Sequence, residues 1–208
     1  MDSMRPERFH EITRRDGLSE VLRGLEAAAT AGLSPIRINA VVVRGVNVDE
    51  VVDFAALARE RDLHVRFIEY MPLDAGHRWT QEQLAPSAEL KVRIEDASSF
   101  VGRRPPSQGR RCPTCSRTAP PAAWDSSPRS ANPFCGTCSR LRLTADGHFR
   151  TCLFALDELD LREPMRRGAS DLELEDAIRM AVRHKWADHR INQPDLVAPT
   201  RSMSQIGG

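Results

Sequence analysis

The sequence predicts an α/β fold, because helix and strand patterns alternate along its first 96 residues. Apolar residues recur at helical spacing in segments 19–33 and 48–62. The first segment is followed at 36–43 by a short run rich in branched apolar residues, and the second is followed at 64–71 by another segment that predicts a strand. A run like that at 36–43 is typical of the largely buried strands of parallel sheets. Helices and strands that alternate with short connections indicate either a barrel or an open parallel sheet.

Local signals also predict the ends and faces of these helices. Ser19 is suited to cap the first helix at its N-terminus, and Gly32 is suited to end it. Residues 86–95 predict a shorter helix. In segment 48–62, four apolar residues share one side of the helix: Val51, Val52, Ala55 and Ala58.

The alternation stops near residue 97. Residues 97–124 include five arginines and five prolines and contain no acidic residue, a composition typical of loops. We therefore predict an α/β part at 1–96, an irregular segment at 97–131 and a separate ordered region at 132–208. This last region has no internal repeat.

Two local patterns stand out in the ordered region 132–208. Two short runs suited to strands flank Asp146 and Gly147, which predicts a hairpin turn. Segment 170–186 has helical spacing, and Ser170 with Glu173 forms the sequence pattern of a capping box. The sequence thus predicts a hairpin followed by a capped helix.

Composition excludes several classes of protein. Of the 208 residues, 40% are hydrophobic and 28% are charged, which predicts a globular chain. The net charge of +1 argues against a general nucleic-acid binder. No apolar run approaches the roughly 20 residues that a membrane span needs, and the charged N-terminus lacks the apolar core of a secretory signal. We therefore expect the reducing cytoplasm, where five cysteines act as metal ligands or reduced thiols rather than as disulfides.

The spacing of the cysteines allows two metal sites. Two C-x2-C pairs, Cys112 with Cys115 and Cys135 with Cys138, are separated by 19 residues, as in zinc ribbons. These four thiolates would form a closed zinc site in a non-catalytic binding module. Alternatively, Cys135, Cys138 and Cys152 would hold three irons of a four-iron cluster and leave the fourth iron open to a substrate.

Arg140 and Arg142 lie between these cysteines and bear on that choice. In an extended strand their side chains project to the same face. Two neighbouring guanidiniums repel each other, and a polyanion such as a triphosphate relieves that repulsion through bidentate contacts. The alternative is an ordinary solvated strand face.

Several stretches together resemble the GTP 3′,8-cyclases, radical S-adenosylmethionine enzymes of molybdenum-cofactor biosynthesis. The resemblance covers residues 2–95 and 132–208 and does not extend to 101–131. It implies an incomplete TIM-like (β/α) barrel, of which 1–96 is the C-terminal part, followed by a cluster-binding α+β region. The matching stretches are "DSMRPERFHEITRRDGL", "INAVVVRGVN", "RFIEYMPL", "PFCGTCSRLRLTADGHFRTCLF", "LDLREPMRRGASDLELEDAI" and "RSMSQIGG".

The resemblance also implies a reaction and its cofactors. The family converts GTP to (8S)-3′,8-cyclo-7,8-dihydroguanosine 5′-triphosphate through a radical that is cleaved from S-adenosylmethionine at one 4Fe-4S cluster. A second 4Fe-4S cluster binds the guanine base. By resemblance, Cys135, Cys138 and Cys152 hold this second cluster.

Other residues take roles by the same resemblance, and none of them is assigned as catalytic. Met71 matches a residue beside S-adenosylmethionine, and Gly207 and Gly208 match a C-terminal pair that reaches into the active site. The residues that match GTP-binding positions are Arg37, Arg140 and Arg142, with Arg37 in place of the usual lysine.

The chain departs from the family in one important respect. Its cysteines stand only at 112, 115, 135, 138 and 152, so it contains no C-x3-C-x2-C motif for the radical-generating cluster. We therefore expect a C-terminal portion that is inactive alone and that needs a missing N-terminal barrel half or a homodimer partner. Cyclic pyranopterin monophosphate synthase would act downstream, and neither nucleic acid nor a membrane is an expected partner.

Overall fold

The computed structural model describes two compact units. The first comprises Met1–Tyr70 and Glu82–Pro128, and the second comprises Met71–Gln81 and Arg129–Gly208. Both helices and small sheets are present, so the predicted α/β class is confirmed. The residues described are 1–61, 63–73, 76, 78–100, 124–127, 135, 138–186, 197 and 199–206.

The first unit contains a parallel sheet with the strand order β1-β2-β3. Arg37 of β1 lies opposite His64 of β2, and Val65 of β2 lies opposite Trp124 of β3. A single 3-10 turn at Val48–Glu50 leads into the third helix. The elements are α1 (Pro6–Thr13), α2 (Leu18–Thr30), β1 (Arg37–Val42), α3 (Val51–Glu60), β2 (His64–Glu69), α4 (Ser87–Phe100) and β3 (Trp124–Ser127).

The core of this unit lies between one face of the sheet and the helices α3 and α4. Phe54 of α3 meets Phe67 of β2 edge to face, with ring centroids 6.3 Å apart. Burial alternates along β1 and β2, so only one face is buried, whereas the apolar runs predicted largely buried strands. The opposite face carries the exposed residues Arg37, Asn39 and Arg66.

The helix signals were partly correct. Gly32 follows the end of α2 with a φ of +75°, as predicted for a stop. Ser19 is not the N-cap, because α2 begins at Leu18 and its N-cap is Gly17. The Ser19 hydroxyl lies inside the helix and donates to Glu20 Oε2 at 2.9 Å. The sequence reasoning missed α1, although Pro6 at its first position is a common start signal.

Two elements enter the segment 97–131 that was predicted to be irregular. Helix α4 continues to Phe100, and β3 adds Trp124–Ser127 as the third parallel strand. The few residues of β3 lack the alternation of apolar and polar types that predicts a strand. The three-part domain division remains a prediction.

The second unit contains an antiparallel sheet with the order β4-β5-β6. The predicted capping box is confirmed, because Glu173 Oε2 accepts from Ser170 N at 2.8 Å while Ser170 Oγ accepts from Glu173 N at 3.4 Å. No helix in the described ranges is long and apolar enough to cross a membrane. The elements are β4 (Arg142–Leu143), β5 (His148–Arg150), β6 (Leu159–Asp160), α5 (Arg162–Arg166), α6 (Asp171–Arg183) and a 3-10 turn at Met203–Gln205. A further 3-10 turn, Gln81–Gln83, spans the boundary at which the chain returns to the first unit.

The predicted hairpin turn at Asp146 and Gly147 joins β4 to β5. Thr144 N donates to His148 O at 2.9 Å, and Gly147 N donates to Thr144 O at 3.0 Å. Gly147 has a φ of +85°, and a Cβ built on it would lie 2.7 Å from Cβ of Arg162. The turn therefore needs glycine both for its backbone conformation and for the close approach of α5.

A buried carboxylate, that of Glu50, joins the segment before α1 to the start of α3. Glu50 is completely buried, and Ser3 Oγ donates to it at 2.8 and 3.0 Å. Met4 N donates at 2.6 Å, and Arg8 Nη1 forms an ion pair with Glu50 Oε1 at 2.5 Å. The carboxylate thus replaces its lost hydration with a full set of protein donors.

We predict that Glu50→Ala lowers the free energy of unfolding by about 3 kcal/mol, because it leaves the buried donors of Ser3 and Met4 without their acceptor. Urea denaturation measures the change. Glu26→Ala is the matched control, since Glu26 is exposed and forms an ion pair with Arg61 at 2.9 Å; its cost should stay below about 1 kcal/mol. Equal costs for the two variants would contradict this role of Glu50.

We predict opposite effects for two glycine-to-alanine substitutions. Gly147→Ala should destabilise the chain by more than about 1 kcal/mol, because alanine disfavours a positive φ and clashes with Arg162. Gly24→Ala, inside α2 with no atom within 4 Å of the new Cβ, should stabilise it by about 0.5–1 kcal/mol. Thermal unfolding of both variants checks the two signs.

Candidate functional site

The predicted cluster ligands lie near the open end of the β4–β5 hairpin. Cys135 and Cys138 precede β4, and Cys138 N donates to Cys135 O at 3.1 Å. Cys152 lies two residues after the end of β5, in which Arg150 pairs with Arg142 of β4. In an antiparallel hairpin, residues before the first strand lie beside residues after the second. All three cysteines are half-buried.

The cation Lys185, just beyond α6, holds the segment around Cys138. Lys185 Nζ donates to Cys138 O at 2.7 Å and to Arg140 O at 3.1 Å. The sequence reasoning missed this residue. Little in the sequence distinguishes Lys185, because a lysine just after a helix usually interacts only with the helix dipole.

Neighbouring cations favour the thiolate form of Cys138. Burial alone would raise the pKa of this thiol. That effect is outweighed by hydrogen bonds from the backbone and side chain of Arg140, together with the charges of Lys185 and Arg140, so the pKa lies below its usual value. A thiolate is the form that binds metals and attacks electrophiles.

Arg140 and Arg142 differ in their surroundings. The extended strand predicted to include both begins only at Arg142, so Arg140 precedes it and is exposed. Burial lowers the pKa of Arg142, the charge of Arg140 lowers it further, and Cys152 and Cys138 partly oppose the shift. Arg142 therefore interacts electrostatically with Arg140 and with both of these thiols.

Arg150, which the sequence reasoning missed, is a buried cation next to Cys152. Its side chain is 2% exposed and forms an ion pair with Glu158. Its guanidinium also donates to the carbonyls of Leu153, at 3.5 Å, and Ala155. Its Nε is buried and has no hydrogen-bond partner within the described ranges. The signal for this residue was an arginine within the otherwise apolar stretch "HFRTCLF".

The C-terminal tail is held on the same unit by Arg201. Arg201 donates to Asp146 Oδ2 at 2.8 Å and to Oδ1 at 3.3 Å, and its Nε pairs with Glu158 Oε1 at 2.9 Å. The hydrogen bonds from Arg201, and then from Thr144, hold the pKa of Asp146 well below its usual range. The tail is thereby tied to the turn of the hairpin.

Further contacts continue along the tail. Met203 N donates to Leu73 O at 3.1 Å, and Ile206 is completely buried. The Ser202 and Gln205 side chains form a capping box around the last 3-10 turn. The sequence reasoning treated this region as a tail without periodicity; one turn and one anchoring side chain are too short to produce a repeating pattern.

The remaining predicted site residues lie elsewhere or outside the described residues. Met71 is buried, and its carbonyl accepts from Leu73 N at 2.8 Å. Arg37 is the exposed first residue of β1, in the other unit. The predicted residues outside the described ranges are Cys112, Cys115, Gly207 and Gly208.

The chemical type of the three sulfur donors supports a soft-metal site more clearly than the positions of these donors do. Three half-buried thiols, one with a lowered pKa, are the donors that iron–sulfur clusters use. No group of three or more His, Cys, Asp or Glu side chains is placed to hold a metal ion in the part of the chain that the structure describes. Such a group serves a single ion, whereas in a four-iron cluster each thiolate binds a different iron. The residues therefore fit a cluster by their chemistry.

Comparison with known proteins identifies related sequences across the whole chain. Residues 63–191 match the family described as Molybdenum Cofactor Synthesis C, and this match runs through 101–131, where the motifs alone showed no resemblance. A GTP 3′,8-cyclase from Streptomyces coelicolor is 39% identical over 217 aligned residues, which include the whole chain and 61% of that protein.

Two further relatives give the same result. A protein named GTP 3′,8-cyclase 2 from Mycobacterium bovis is 41% identical and is covered over 59% of its length. A GTP 3′,8-cyclase from Heliobacterium modesticaldum is 40% identical and is covered over 64% of its length. The chain thus spans about three fifths of the length of the curated relatives it matches.

Proposed function

Because this chain belongs to the Molybdenum Cofactor Synthesis C family, we propose that it forms the substrate-binding portion of a GTP 3′,8-cyclase. The observation that carries the proposal is the position of Arg142, a half-buried cation within electrostatic range of Arg140, Cys138 and Cys152. The proposed cluster ligands and the proposed phosphate-binding cations would then share one end of one hairpin. The names of the relatives supply the reaction, which converts GTP to its 3′,8-cyclic product.

The proposed cofactor of this portion is a 4Fe-4S cluster held by Cys135, Cys138 and Cys152. When bound, it supplies an open iron that can accept a donor atom of the guanine base. The chain prepares the site in two ways. Lys185 fixes the carbonyls of Cys138 and Arg140, and the nearby positive charges favour the Cys138 thiolate that a cluster requires.

The proposed role of Arg140 and Arg142 is to bind the triphosphate of GTP. Two guanidiniums in mutual repulsion gain by sharing a polyanion, and each can form a bidentate contact with phosphate oxygens. Burial strengthens the contact of Arg142, because less water competes for its charge. Arg37 is proposed for GTP on the basis of the family resemblance alone, as are the contact of Met71 with S-adenosylmethionine and the active-site role of Gly207 and Gly208.

The parallel sheet β1-β2-β3, covered by helices on one face, supports the proposal that the first unit is part of an incomplete (β/α) barrel. The exposed residues Arg37 and Asn39 would then face the interior of that barrel. The 208 residues contain no C-x3-C-x2-C motif. We propose that cleavage of S-adenosylmethionine needs residues beyond these 208, whether on the same chain or on a partner.

We predict that Cys152→Ala removes most of the iron and acid-labile sulfide from anaerobically reconstituted protein, because it deletes one of three ligands. Cys112→Ala is the matched control and should leave iron and sulfide unchanged, since the proposed cluster does not use Cys112. Elemental analysis and the visible absorption of the cluster measure both. One bound zinc without sulfide, lost in Cys112→Ala and kept in Cys152→Ala, would instead establish the zinc-binding module.

We predict that Arg142→Ala weakens GTP binding by roughly tenfold, since it removes a charge-assisted contact with phosphate. The binding of GMP should change far less, because GMP lacks the β- and γ-phosphates. Calorimetric titration of the reconstituted protein measures both nucleotides. Arg179→Ala serves as the control, because Arg179 is exposed and forms its ion pair with Glu175 of the same helix, α6. Equal affinity of the unmodified protein for GTP and GMP would refute a triphosphate site.

A further inference from the structure

An alternating series of four charged side chains connects the Cys152 segment to the C-terminal tail. In order, the series is Arg150, Glu158, Arg201 and Asp146. Glu158 is the inner carboxylate of the series, and its Oε1 atom pairs with both Arg150 Nη1 and Arg201 Nε, the latter at 2.9 Å. We propose that Glu158 is a positioning residue, which through these two arginines holds the Cys152 segment and the C-terminal tail in one fixed arrangement.

The first step of the argument is the hold of Arg150 on the Cys152 segment. The guanidinium donates to the carbonyls of Leu153 and Ala155, and Ala155 N donates to Cys152 O at 3.3 Å. The turn that presents Cys152 is therefore closed around the guanidinium. A buried cation in this position requires a nearby anion, and Glu158 supplies it.

The second step is the hold of Arg201 on the tail. Arg201 lies between the carboxylates of Asp146 and Glu158, and burial and hydrogen bonding continue beyond it to Ile206. Asp146 alone cannot hold Arg201 in the same way, because it contacts Nη1 and Nη2 while Glu158 contacts Nε. The two carboxylates therefore hold different nitrogens of the guanidinium, and loss of Glu158 leaves Nε without this contact.

The third step is that Glu158 serves both arginines at once. Its side chain is 15% exposed, so water can replace neither ion pair well. Without Arg201, the carboxylate is held by Arg150 alone and can turn; without Glu158, the charge of Arg150 has no anion. A disturbance at the tail should therefore reach Cys152, although no contact between Arg201 and Cys152 is needed. The statement that both segments serve one substrate site rests on the proposed function. The coupling between the two segments does not depend on it.

The test uses the full 208-residue chain without iron, so its outcome does not depend on cluster or nucleotide binding. The rates at which iodoacetamide alkylates Cys152 and Cys138 are measured residue by residue by mass spectrometry, and hydrogen exchange is followed at amides 203–206. In Glu158→Gln we expect Cys152 alkylation and exchange at 203–206 each to rise roughly tenfold, the effect of one lost charge-assisted contact. Cys138 alkylation should change by less than about twofold.

Arg201→Gln is the decisive second variant. If Glu158 couples the two segments, Cys152 alkylation rises in this variant as well, although the substitution lies in the tail. Glu163→Gln is the matched control, because Glu163 is exposed and pairs with Arg167 of its own helix end; it should change neither rate. Should Glu158→Gln fail to fold, Glu158→Asp keeps the charge at a shorter reach and is expected to give intermediate rates.

Three outcomes would overturn the proposal. In the first, Cys152 reacts at the unmodified rate in Arg201→Gln, which means that the two ion pairs are independent. In the second, Glu158→Gln releases the tail without affecting Cys152. In the third, Cys138 and Cys152 gain reactivity equally, which makes Glu158 a general stabilising residue and not a positioning one.

Discussion

A buried guanidinium, that of Arg150, is the constraint on which the cysteine-bearing unit depends. Burial of a charge is costly unless anions and carbonyl oxygens replace its hydration. Arg150 obtains them from Glu158 and from two carbonyls of the turn after Cys152. The turn and the approach to β6 must therefore converge on one point. The path of the chain here depends on the compensation of this buried charge as well as on the burial of apolar side chains.

The first unit also depends on a buried charge, which in this case is negative. Glu50 is buried and receives donors from Ser3, Met4 and Arg8, so the segment before α1 must meet the start of α3. The partners of Glu50 lie 42 to 47 residues away along the chain, whereas those of Arg150 lie within eight residues of it. Each junction tolerates little variation, because removing the oppositely charged partner leaves a buried charge poorly compensated.

The part of the fold that sequence could predict is the part with a repeating pattern. The spacing of Val51, Ala55 and Ala58 predicted the buried side of α3 correctly, and Ser170 with Glu173 predicted the start of α6. Ser19 failed as a cap because a serine inside the first turn has the same local sequence as a serine at its boundary. Strand β3 was missed because its few residues show no alternation of apolar and polar types.

The candidate site divides in a similar way. The cysteines and Arg142 could be selected from the sequence, because their spacing and residue type carry the chemistry, and their roles stay predictions. Lys185, Glu158 and Arg201 were not, because each acts through a partner brought close only by the tertiary fold. A lone charged residue in a sequence gives no information about which distant residue it will pair with.

Helix α6 sets the distance and the rotation between two anchored points, its N-terminal cap and Lys185. Its first turn is fixed by the capping box of Ser170 and Glu173, and just past its last turn Lys185 binds the carbonyls of Cys138 and Arg140. Each added or deleted residue would rotate Lys185 by about 100° and shift it by about 1.5 Å. The lysine would then point away from the cysteine segment. We therefore expect that the protein does not tolerate insertions or deletions between residues 170 and 185, even though much of the surface of this helix is exposed.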